Sequence, residues 1–476
     1  MGGIADYSGA LVLQLPIAEA TLAAVQSDKD RVLRILSCTA NADASLRSSA
    51  IQLQEVGPAC RAGPERDATP RSFAIPLPGA GPACRAGPER ATSPRSFAIP
   101  LQELENSSYQ QCHQHFQRDP AHGWAAYVAG AVLVLIQEKG VQLNEGLRVA
   151  VLSRVPEGKG VASSAALEVA AMAAIAGRLR VALEPVEMAI LCQKVENLVV
   201  GAPCGVMDQM AAACGRENRL LALVCQPTEL RGHVEIPADV AFWGIDSGIR
   251  HAVSGSDYTS VRVGAFMGYR IIAEIAGFRT RPTGRPDTVV VEDSRWNGYL
   301  ANLAPRAFEQ EFAPRLPATL DGRSFLDRYS GTTDPVTRVD PERVYAVLQP
   351  AAHAVYENAR VVQYRDLLGD LTGDESLDRL GRLMYQSHES YSACGLGSDG
   401  TDLLVDLVRN SGPSSGLFGA KITGGGSGGT VAILGRSDAD TAVRRIARQY
   451  AEQSGREPYV FSGSSNGAAY TGCFRL

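Results

Sequence analysis

The chain has 476 residues, of which 45% are hydrophobic and 20% are charged, as is ordinary for a soluble globular protein of two or three domains. The net charge of -5 argues against the basic surface that nucleic-acid partners normally require. No apolar run reaches membrane-spanning length, the start lacks the features of a signal peptide, and the ten cysteines form no CxxC pair. We therefore expect a cytoplasmic protein with neither nucleic-acid nor membrane partners, and its oligomeric state stays open.

Hydrophobic patterns predict a mixture of strands and helices along the whole chain. Before residue 233 they predict strands at residues 9–17, 31–38, 147–152 and 220–225, and helices at 124–138, 165–178 and 185–199. After it they predict strands at 240–245, 417–422 and 430–434, helices at 260–276, 341–358, 377–392, 401–410 and 438–452, and two terminal strands. We expect an α+β protein with an N-terminal domain, 1–232, and a C-terminal domain, 233–476.

Residues 57–101 contain a tandem duplication. The run Gly-Pro-Ala-Cys-Arg-Ala-Gly-Pro-Glu-Arg begins at Gly57 and begins again at Gly81. Two copies are too few for a solenoid, and the content of Pro, Gly and Arg is typical of disordered segments. We predict a disordered, partly duplicated insertion at about residues 42–104, with a regulatory or docking loop as the alternative.

A glycine-rich segment follows the predicted strand at 147–152. Residues 156–166 read Pro-Glu-Gly-Lys-Gly-Val-Ala-Ser-Ser-Ala-Ala and precede a predicted helix. Strand, glycine-rich loop and helix together form a phosphate cradle, because glycine admits an anion close to backbone N–H groups at the positive end of the helix. Ser163 and Ser164 can contact phosphate oxygens or Mg²⁺. The segment is not a Walker loop, and an ordinary turn with a helix cap is the alternative.

Two further segments favour a binding function. Residues 201–210 place one carboxylate, Asp208, after a Pro/Gly turn and at the start of an apolar stretch. Residues 421–430 contain five glycines within six positions, between two strand-like runs. So many glycines carry a large entropic cost, and a plain hairpin needs only two such residues. Close approach of a ligand to the backbone would explain the second loop.

Taken in order, these three segments resemble the small-molecule kinases of the GHMP family. The galactokinase-like branch is the more similar, through residues 124–130, the run Met207-Asp208-Gln209 and the region of Tyr258. The runs 1–7, 157–161, 196–209, 242–251 and 421–430 are similar to the kinase domain of plant-type L-arabinokinases. The resemblance implies a two-domain GHMP kinase fold of the α+β class, with the active site in the inter-domain cleft, and a small-molecule sugar and ATP as substrates with Mg²⁺.

The resemblance also implies roles for individual residues. It makes Asp208 the catalytic base, places the sugar against Asp6, Gly205, Asp208 and Tyr258, and gives Mg²⁺ the ligands Ser164 and Glu168. It assigns ATP binding to two aromatic residues and both glycine-rich loops: Trp124, Tyr127, Pro156, Glu157, Gly158, Lys159, Gly160, Val161, Ala162, Ser163, Ser164, Gly424, Gly425 and Gly426.

Five of these side chains also have a plain structural interpretation. Trp124 and Tyr127 are three residues apart and could be core aromatic residues on one helix face. Asp208 could be a helix N-cap, Glu168 a solvated carboxylate in the first turn of a helix, and Tyr258 a core tyrosine.

The resemblance also implies a sugar. Galactokinases carry the signature Gly-Glu-His-Thr-Asp-Tyr, and the corresponding run here is Gly2-Gly3-Ile4-Ala5-Asp6-Tyr7. Gly3 and Ile4 replace the polar pair that addresses the hydroxymethyl end of galactose, a group that L-arabinopyranose lacks. We therefore expect an ATP-dependent kinase that phosphorylates the anomeric hydroxyl of L-arabinose. A galactokinase or another C1 sugar kinase is the alternative.

One feature of the relatives has no counterpart in the given sequence. They carry an Ala-Pro-Gly-Arg segment before the Met-Gly-Gly run, and its arginine pairs with the catalytic aspartate. Here the first arginine is Arg31. A cationic partner would lower the pKa of the aspartate and stabilise developing charge, so a non-catalytic sugar or nucleotide sensor is a third possibility.

Overall fold

The computed structural model describes residues 1–39, 95–202, 204–250 and 256–474. Its strands are β1 (Leu11–Gln14), β2 (Thr21–Asp28), β3 (Val32–Thr39), β4 (Arg95–Pro100), β5 (Gly146–Ser153), β6 (Arg219–Val224), β7 (Glu229–Glu235), β8 (Val240–Asp246), β9 (Thr280–Pro282), β10 (Val289–Val291), β11 (Thr319–Asp321), β12 (Val344–Ala346), β13 (Leu417–Ile422), β14 (Thr430–Arg436) and β15 (Val460–Ser462).

The helices of the same residues are α1 (Leu101–Glu105), α2 (Tyr109–Gln117), α3 (Ala126–Lys139), α4 (Ser163–Leu179), α5 (Pro185–Lys194), α6 (Met207–Cys214), α7 (Ser256–Ile275), α8 (Pro305–Ala307), α9 (Gly322–Tyr329), α10 (Leu348–Gly369), α11 (Gly373–Ala393), α12 (Asp399–Ser411), α13 (Asp440–Ser454) and α14 (Ala468–Thr471). Short 3₁₀ turns occur at Gly3–Ser8, Pro120–Ala125, Leu300–Asn302, Ala313–Arg315 and Pro413–Ser415, and π-helical turns at Val195–Val200 and Phe308–Phe312.

Two four-stranded sheets form the framework of the molecule. The first has the order β2-β5-β3-β4, with β3 and β5 parallel and the other pairs antiparallel. The second has the order β13-β14-β8-β15 and is antiparallel throughout. Helices α3 to α6 pack around one large apolar core with the first sheet, whereas α11 and α12 pack on β13 of the second. This mixture confirms the predicted α+β class. The domain boundary at 232/233 stays a prediction.

The predicted C-terminal boundary of the disordered insertion, at about residue 104, is wrong. Residues 95–100 form strand β4, which pairs with β3 and places Phe97 opposite Ile35 and Ile99 opposite Leu33. Phe97 and Ile99 are buried, as are Leu101 and Leu104 in the short helix that follows. The alternation of these apolar residues explains the strand, and the Pro/Gly/Arg composition of the preceding segment concealed it. Residues 42–94 of the expected insertion, including both copies of Gly-Pro-Ala-Cys-Arg, lie outside the described residues.

One helical segment corrects the expectation about membrane-spanning length. The segment Pro120–Lys139 has a mean hydropathy of 1.2 over its best window and is long and apolar enough to span a bilayer by composition alone. Its residues 128–135 are all buried in the core against α4 and the π-helical turn Val195–Val200. The apolar composition of α3 is therefore explained by burial inside the protein.

Three other element predictions need correction. The predicted helix at 341–358 begins only at Leu348, because residues 341–347 contain a turn and the short strand β12. The C-terminal end contains strand β15 and the short helix α14 instead of two strands. Strand β2 was not predicted. It lies at the edge of its sheet with mixed exposure, which weakens the alternating pattern on which strand prediction depends.

Candidate active site

The first glycine-rich loop has the backbone geometry of an anion cradle. Gly158, Gly160 and Ala162 have φ angles of 76°, 68° and 59°, in the left-handed region. Ala162 occupies the N-cap position of α4 and provides no side-chain cap. The first N–H groups of this 17-residue helix therefore lack a capping side chain and can bind an anion at the positive end of the helix dipole.

Side chains from the second half of the chain hold this loop in place. Lys159 Nζ donates to Oδ2 of the buried Asp246 at 2.5 Å, and Thr430 Oγ1 donates to the carbonyl oxygen of Lys159 at 2.8 Å. The positive charge of Lys159 is thus paired with a carboxylate. Arg250 places a second positive charge beside the loop. Its Nε lies 3.4 Å from where a Cβ of Gly158 would stand.

The second glycine-rich loop faces the first. Gly424, Gly426 and Ser427 all have positive φ angles, and a Cβ on Gly424 would lie 3.7 Å from the carbonyl oxygen of Gly160. Gly424 and Gly425 line the cleft between the loops. Gly426 instead packs on Leu396, whose carbonyl accepts the N–H of Ser427 at 2.7 Å. Of the first three glycines of this loop, Gly424 and Gly425 therefore face the cleft and Gly426 allows the loop to fold back.

Two buried carboxylates lie beside the first turn of α4. Glu168 is 0% exposed and Glu196 is 7% exposed, so the solvated interpretation of Glu168 is wrong. Gln209 Nε2 donates to Glu168 Oε2 at 3.1 Å and to Glu196 Oε2 at 2.6 Å. The hydroxyl of Ser164 also hydrogen-bonds Glu196. Burial and the charge of Glu196 raise the pKa of Glu168 well above its usual value.

These oxygens suit a hard divalent cation. Glu168 Oε1 is buried without a hydrogen-bond partner, and the two carboxylates have no cationic side chain between them among the described contacts. Mg²⁺ prefers carboxylate and hydroxyl oxygens, and it would relieve both the repulsion and the unpaired oxygen. The arrangement therefore fits Mg²⁺ near Ser164, Glu168 and Glu196. Glu196 was missed by the sequence analysis, where it lay in an apolar helical pattern. Its π-helical turn is a feature frequent at functional sites.

Asp208 lies in the first turn of α6 and lines the cleft. The N-cap of α6 is Val206, so the interpretation of Asp208 as the N-cap is wrong. Burial, followed by the negative charges of Glu196 and Asp6, raises the pKa of Asp208 to about 7. Asp208 is therefore poised to exchange a proton near neutral pH.

The expected sugar residues come together around Asp6. Asp6 is buried in the 3₁₀ turn Gly3–Ser8, where Oδ1 accepts the N–H of Tyr7 at 2.9 Å and the hydroxyl of Tyr258 at 3.4 Å. A Cβ on Gly205 would overlap Oδ2 of Asp6. Burial raises the pKa of Asp6 to about 6, and the charge of Arg262 opposes that rise. The structure thus brings Asp6, Gly205 and Tyr258 to one wall of the cleft that also holds Asp208.

The two aromatic residues expected at the adenine differ in position. Tyr127 lines the cleft, whereas Trp124 packs partly against the core and carries the guanidinium of Arg95 at 5.2 Å from its ring centroid. Arg95 also forms an ion pair with the exposed Glu157 at 2.8 Å. Trp124 therefore contacts the first glycine-rich loop through Arg95. Of residues 156–166, Gly158, residues 160–164 and Ala166 line the cleft.

Ile4 does not face the cleft, which corrects an expectation about the sugar. It is 0% exposed and packs with Val261, Tyr391 and Ile422 in a separate apolar cluster. Gly3, by contrast, lines the cleft. Gly3, and not Ile4, therefore lines the end of the cleft where the sugar is expected.

One continuous cleft of ≈ 3010 Å³ is lined by residues from both loops and both groups of carboxylates, among them Asp6, Ser164, Glu196, Asp208 and Gly424. Comparison with known proteins identifies the family to which the chain belongs. The sequence matches the GHMP kinases N terminal domain over residues 126–216 and the GHMP kinases C terminal domain over residues 368–452. The galactokinase of Chloroflexus aggregans is 30% identical over 346 residues, 72% of this chain and 74% of that protein. The chain belongs to the GHMP kinase family, as its sequence motifs indicate.

Within this family, the chain is similar to a plant sugar kinase. The L-arabinokinase of Arabidopsis thaliana is 43% identical over 499 residues, which cover 100% of this chain and 46% of that protein. The chain thus spans about half the length of this relative. In structure it is similar to Lactococcus lactis galactokinase complexed with galactose, with a TM-score of 0.65, 17% identity and coverage of 97% of this chain and 90% of the other. That likeness confirms the GHMP kinase fold.

Proposed function

We propose that the chain is an ATP- and Mg²⁺-dependent kinase that converts L-arabinose into L-arabinose 1-phosphate. The observation that carries the proposal is the meeting of Asp208, Asp6 and both glycine-rich loops in one cleft. The identity of 43% to a protein named L-arabinokinase supports L-arabinose as the sugar. A cytoplasmic location accords with this use of ATP and a small sugar.

The proposed chemistry assigns each group a task. Backbone N–H groups of the first loop and the guanidinium of Arg250 bind the phosphates of ATP, while Tyr127 lies on the adenine side. Ser164, Glu196 and Glu168 would hold Mg²⁺, which neutralises charge on the phosphate oxygens. Phosphoryl transfer needs mostly positioning and charge stabilisation, and the paired loops provide a rigid frame for it.

Asp208 accepts the proton of the anomeric hydroxyl. The O1 oxygen of the sugar then forms a bond to the γ-phosphorus of ATP as the bond from that phosphorus to the β–γ bridging oxygen breaks, which leaves ADP. Asp6 and Tyr258 hold the ring hydroxyls so that O1 points at Asp208. Gly205 allows the carboxylate of Asp6 to lie in that wall.

A galactokinase is the second candidate. The identity of 30% to a protein named galactokinase favours it, and so does the position of Ile4, which is buried and provides no apolar barrier at the sugar. D-Galactose must therefore be tested beside L-arabinose under the same conditions.

The experiment is a measurement of ADP formation with L-arabinose, D-galactose, D-glucose and D-xylose, with phosphorus NMR to identify the phosphorylated carbon. We expect the highest kcat/KM for L-arabinose and phosphate on C1. Asp208→Asn should lower turnover about 10²- to 10⁴-fold, and Asp438→Asn, at an exposed site outside the cleft, should leave it unchanged. A higher kcat/KM for D-galactose would favour the second candidate. No turnover of any sugar would contradict both and favour a non-catalytic sensor.

A further inference from the structure

Tyr391 connects the sugar side of the cleft to the nucleotide side. It lies in α11 and is fully buried. Its hydroxyl accepts the N–H of Ile4 at 3.0 Å and donates to the carbonyl oxygen of Gly424 at 3.0 Å. Ile4 belongs to the same 3₁₀ turn as Asp6, and Gly424 belongs to the second glycine-rich loop. One hydroxyl group therefore joins the backbones of two segments that both line the cleft.

The connection depends on the glycine at position 3. A Cβ on Gly3 would overlap the hydroxyl oxygen of Tyr391 and would lie 2.7 Å from the carbonyl oxygen of Gly424. Any side chain at this position would have to displace the hydroxyl or the loop. The galactokinase signature has Glu at the corresponding position, so a sequence with that signature cannot form the same connection without rearrangement.

Neighbouring buried groups hold Tyr391 rigidly. The ring of His353 packs edge-on at 5.3 Å between centroids, and its Nδ1 shares a hydrogen bond of 2.7 Å with Ser390 Oγ. Lys421 Nζ lies 4.6 Å from the centroid of the tyrosine ring, and Lys421 lines the cleft. These contacts fix the ring of Tyr391, so the direction of its O–H bond is set by its two backbone partners, Ile4 and Gly424.

A second buried group, the carboxylate of Glu357 in α10, connects the turn Gly3–Ser8 to α11. Glu357 Oε1 accepts the N–H of Gly2 at 3.0 Å and the hydroxyl of Ser387 at 2.6 Å. Gly2 comes directly before the turn that carries Asp6, and Ser387 lies in α11 with Tyr391. Helix α11 is thus the common support of the sugar-side turn and of the second glycine-rich loop.

We propose that Tyr391 is a positioning residue that couples sugar binding to nucleotide binding. The inference rests on the proposed function, since it takes Asp6 as a sugar ligand and the loop at Gly424 as a nucleotide ligand. A sugar that orders the turn at Asp6 also fixes the hydrogen bond from Ile4 N–H to the hydroxyl of Tyr391. The hydroxyl is then directed to donate to the carbonyl oxygen of Gly424. The loop at Gly424 then loses less entropy when the nucleotide binds, which makes the coupling positive and reciprocal.

The test compares L-arabinose affinity, by calorimetry, without nucleotide and with a saturating non-hydrolysable ATP analogue and Mg²⁺. We expect the analogue to tighten sugar binding by at least about five-fold in the unmodified protein. Tyr391→Phe should reduce that ratio toward one, and so should Gly3→Ala. Tyr385→Phe, which removes another hydroxyl from α11 at a site that packs on a different cluster, should keep the ratio.

The outcomes distinguish a role of Tyr391 in coupling the two binding sites from a role only in the stability of the fold. A Tyr391→Phe protein that keeps the ratio would overturn the proposal, even if its melting temperature and turnover fall. A ratio of one in the unmodified protein would overturn it as well. Failure of the proposed function would differ, because then no sugar of the panel would be bound or phosphorylated by the unmodified protein or by Tyr385→Phe.

Discussion

The carboxylate of Asp6 occupies the space beside Gly205 that a side chain at position 205 would need. The two residues are far apart in sequence, yet a Cβ on Gly205 would overlap Oδ2 of Asp6. The glycine before α6 therefore determines how closely Asp6 approaches the helix that carries Asp208. Both carboxyl groups have a raised pKa, to about 6 and about 7, and the charge of Asp6 contributes to the rise at Asp208.

Gly205→Ala should impair sugar binding more than nucleotide binding. The added methyl group must push Asp6 away, and a hydrogen bond to a charged group contributes about 1.5–3 kcal/mol, so we expect the sugar KM to rise about 10- to 100-fold. The KM for ATP should change little. Gly369→Ala is the control, because a Cβ there meets no atom within 4 Å. Equal increases in both KM values would contradict a specific role for the Asp6–Gly205 contact.

The pH dependence of turnover should report Asp208. The group must be ionised to accept a proton, and its pKa is raised to about 7, mainly by burial and then by the charges of Glu196 and Asp6. We expect kcat/KM for the sugar to fall tenfold for each pH unit below about 7, and the Asp208→Asn variant to lose about 10²- to 10⁴-fold in turnover. Measurement from pH 5 to pH 9 would check both. A flat profile down to pH 5 would exclude Asp208 as the base.

The phosphate loop and the loop at Gly424 could be predicted from sequence because both depend on local patterns. Runs of glycine between strand and helix patterns indicate a backbone that needs left-handed angles or close approach of a ligand, and the positive φ angles of Gly160 and Gly424 agree. The hydrogen bond from Gln209 to Glu196 could not be predicted, since the two residues are 13 positions apart, on separate helical segments, and meet only in the folded protein. Strand β4 was missed because its few apolar residues follow a long segment of disorder-like composition.

The raised pKa of Asp208 should also make the stability of the folded protein depend on pH. A carboxyl group with a higher pKa in the folded state stabilises that state fully below its unfolded pKa, here 3.8, and loses this contribution as the pH rises through about 7. Asp208→Asn should therefore raise the free energy of unfolding of the ligand-free protein by about 4 kcal/mol at pH 8 and leave it nearly unchanged at pH 4. Urea denaturation at the two pH values measures the difference, with Asp438→Asn as the control. A variant less stable than the unmodified protein at pH 8 would contradict the prediction.

Gly160→Val should weaken ATP binding while the protein stays folded. The residue has a φ of 68°, lines the cleft, and has its carbonyl oxygen 3.7 Å from where a Cβ of Gly424 would stand, so we expect a β-branched side chain to distort the loop beside the cleft. We expect ATP affinity to fall at least about ten-fold, or ~1.4 kcal/mol. Gly140→Val is a matched control, because Gly140 has a φ of 64° at the end of α3 and a Cβ there meets no atom within 4 Å. If both variants keep normal ATP affinity in calorimetric titration, the first loop is only a turn.

Glu196→Gln should separate the metal-binding role of Glu196 from its role in packing. The change keeps the size of the side chain and a hydrogen-bond acceptor, but it removes the charge that would attract Mg²⁺ beside Ser164. We expect the Mg²⁺ concentration for half-maximal activity to rise at least about ten-fold, an effect that even residues that only orient a metal ligand can produce. Direct binding of Mn²⁺, measured by electron paramagnetic resonance, should weaken in parallel. Glu187→Gln, at a surface ion pair with Lys139, is the control and should change neither measurement. Unaltered Mn²⁺ affinity in Glu196→Gln would mean that Glu196 serves only to hold Gln209 and the neighbouring helix in place.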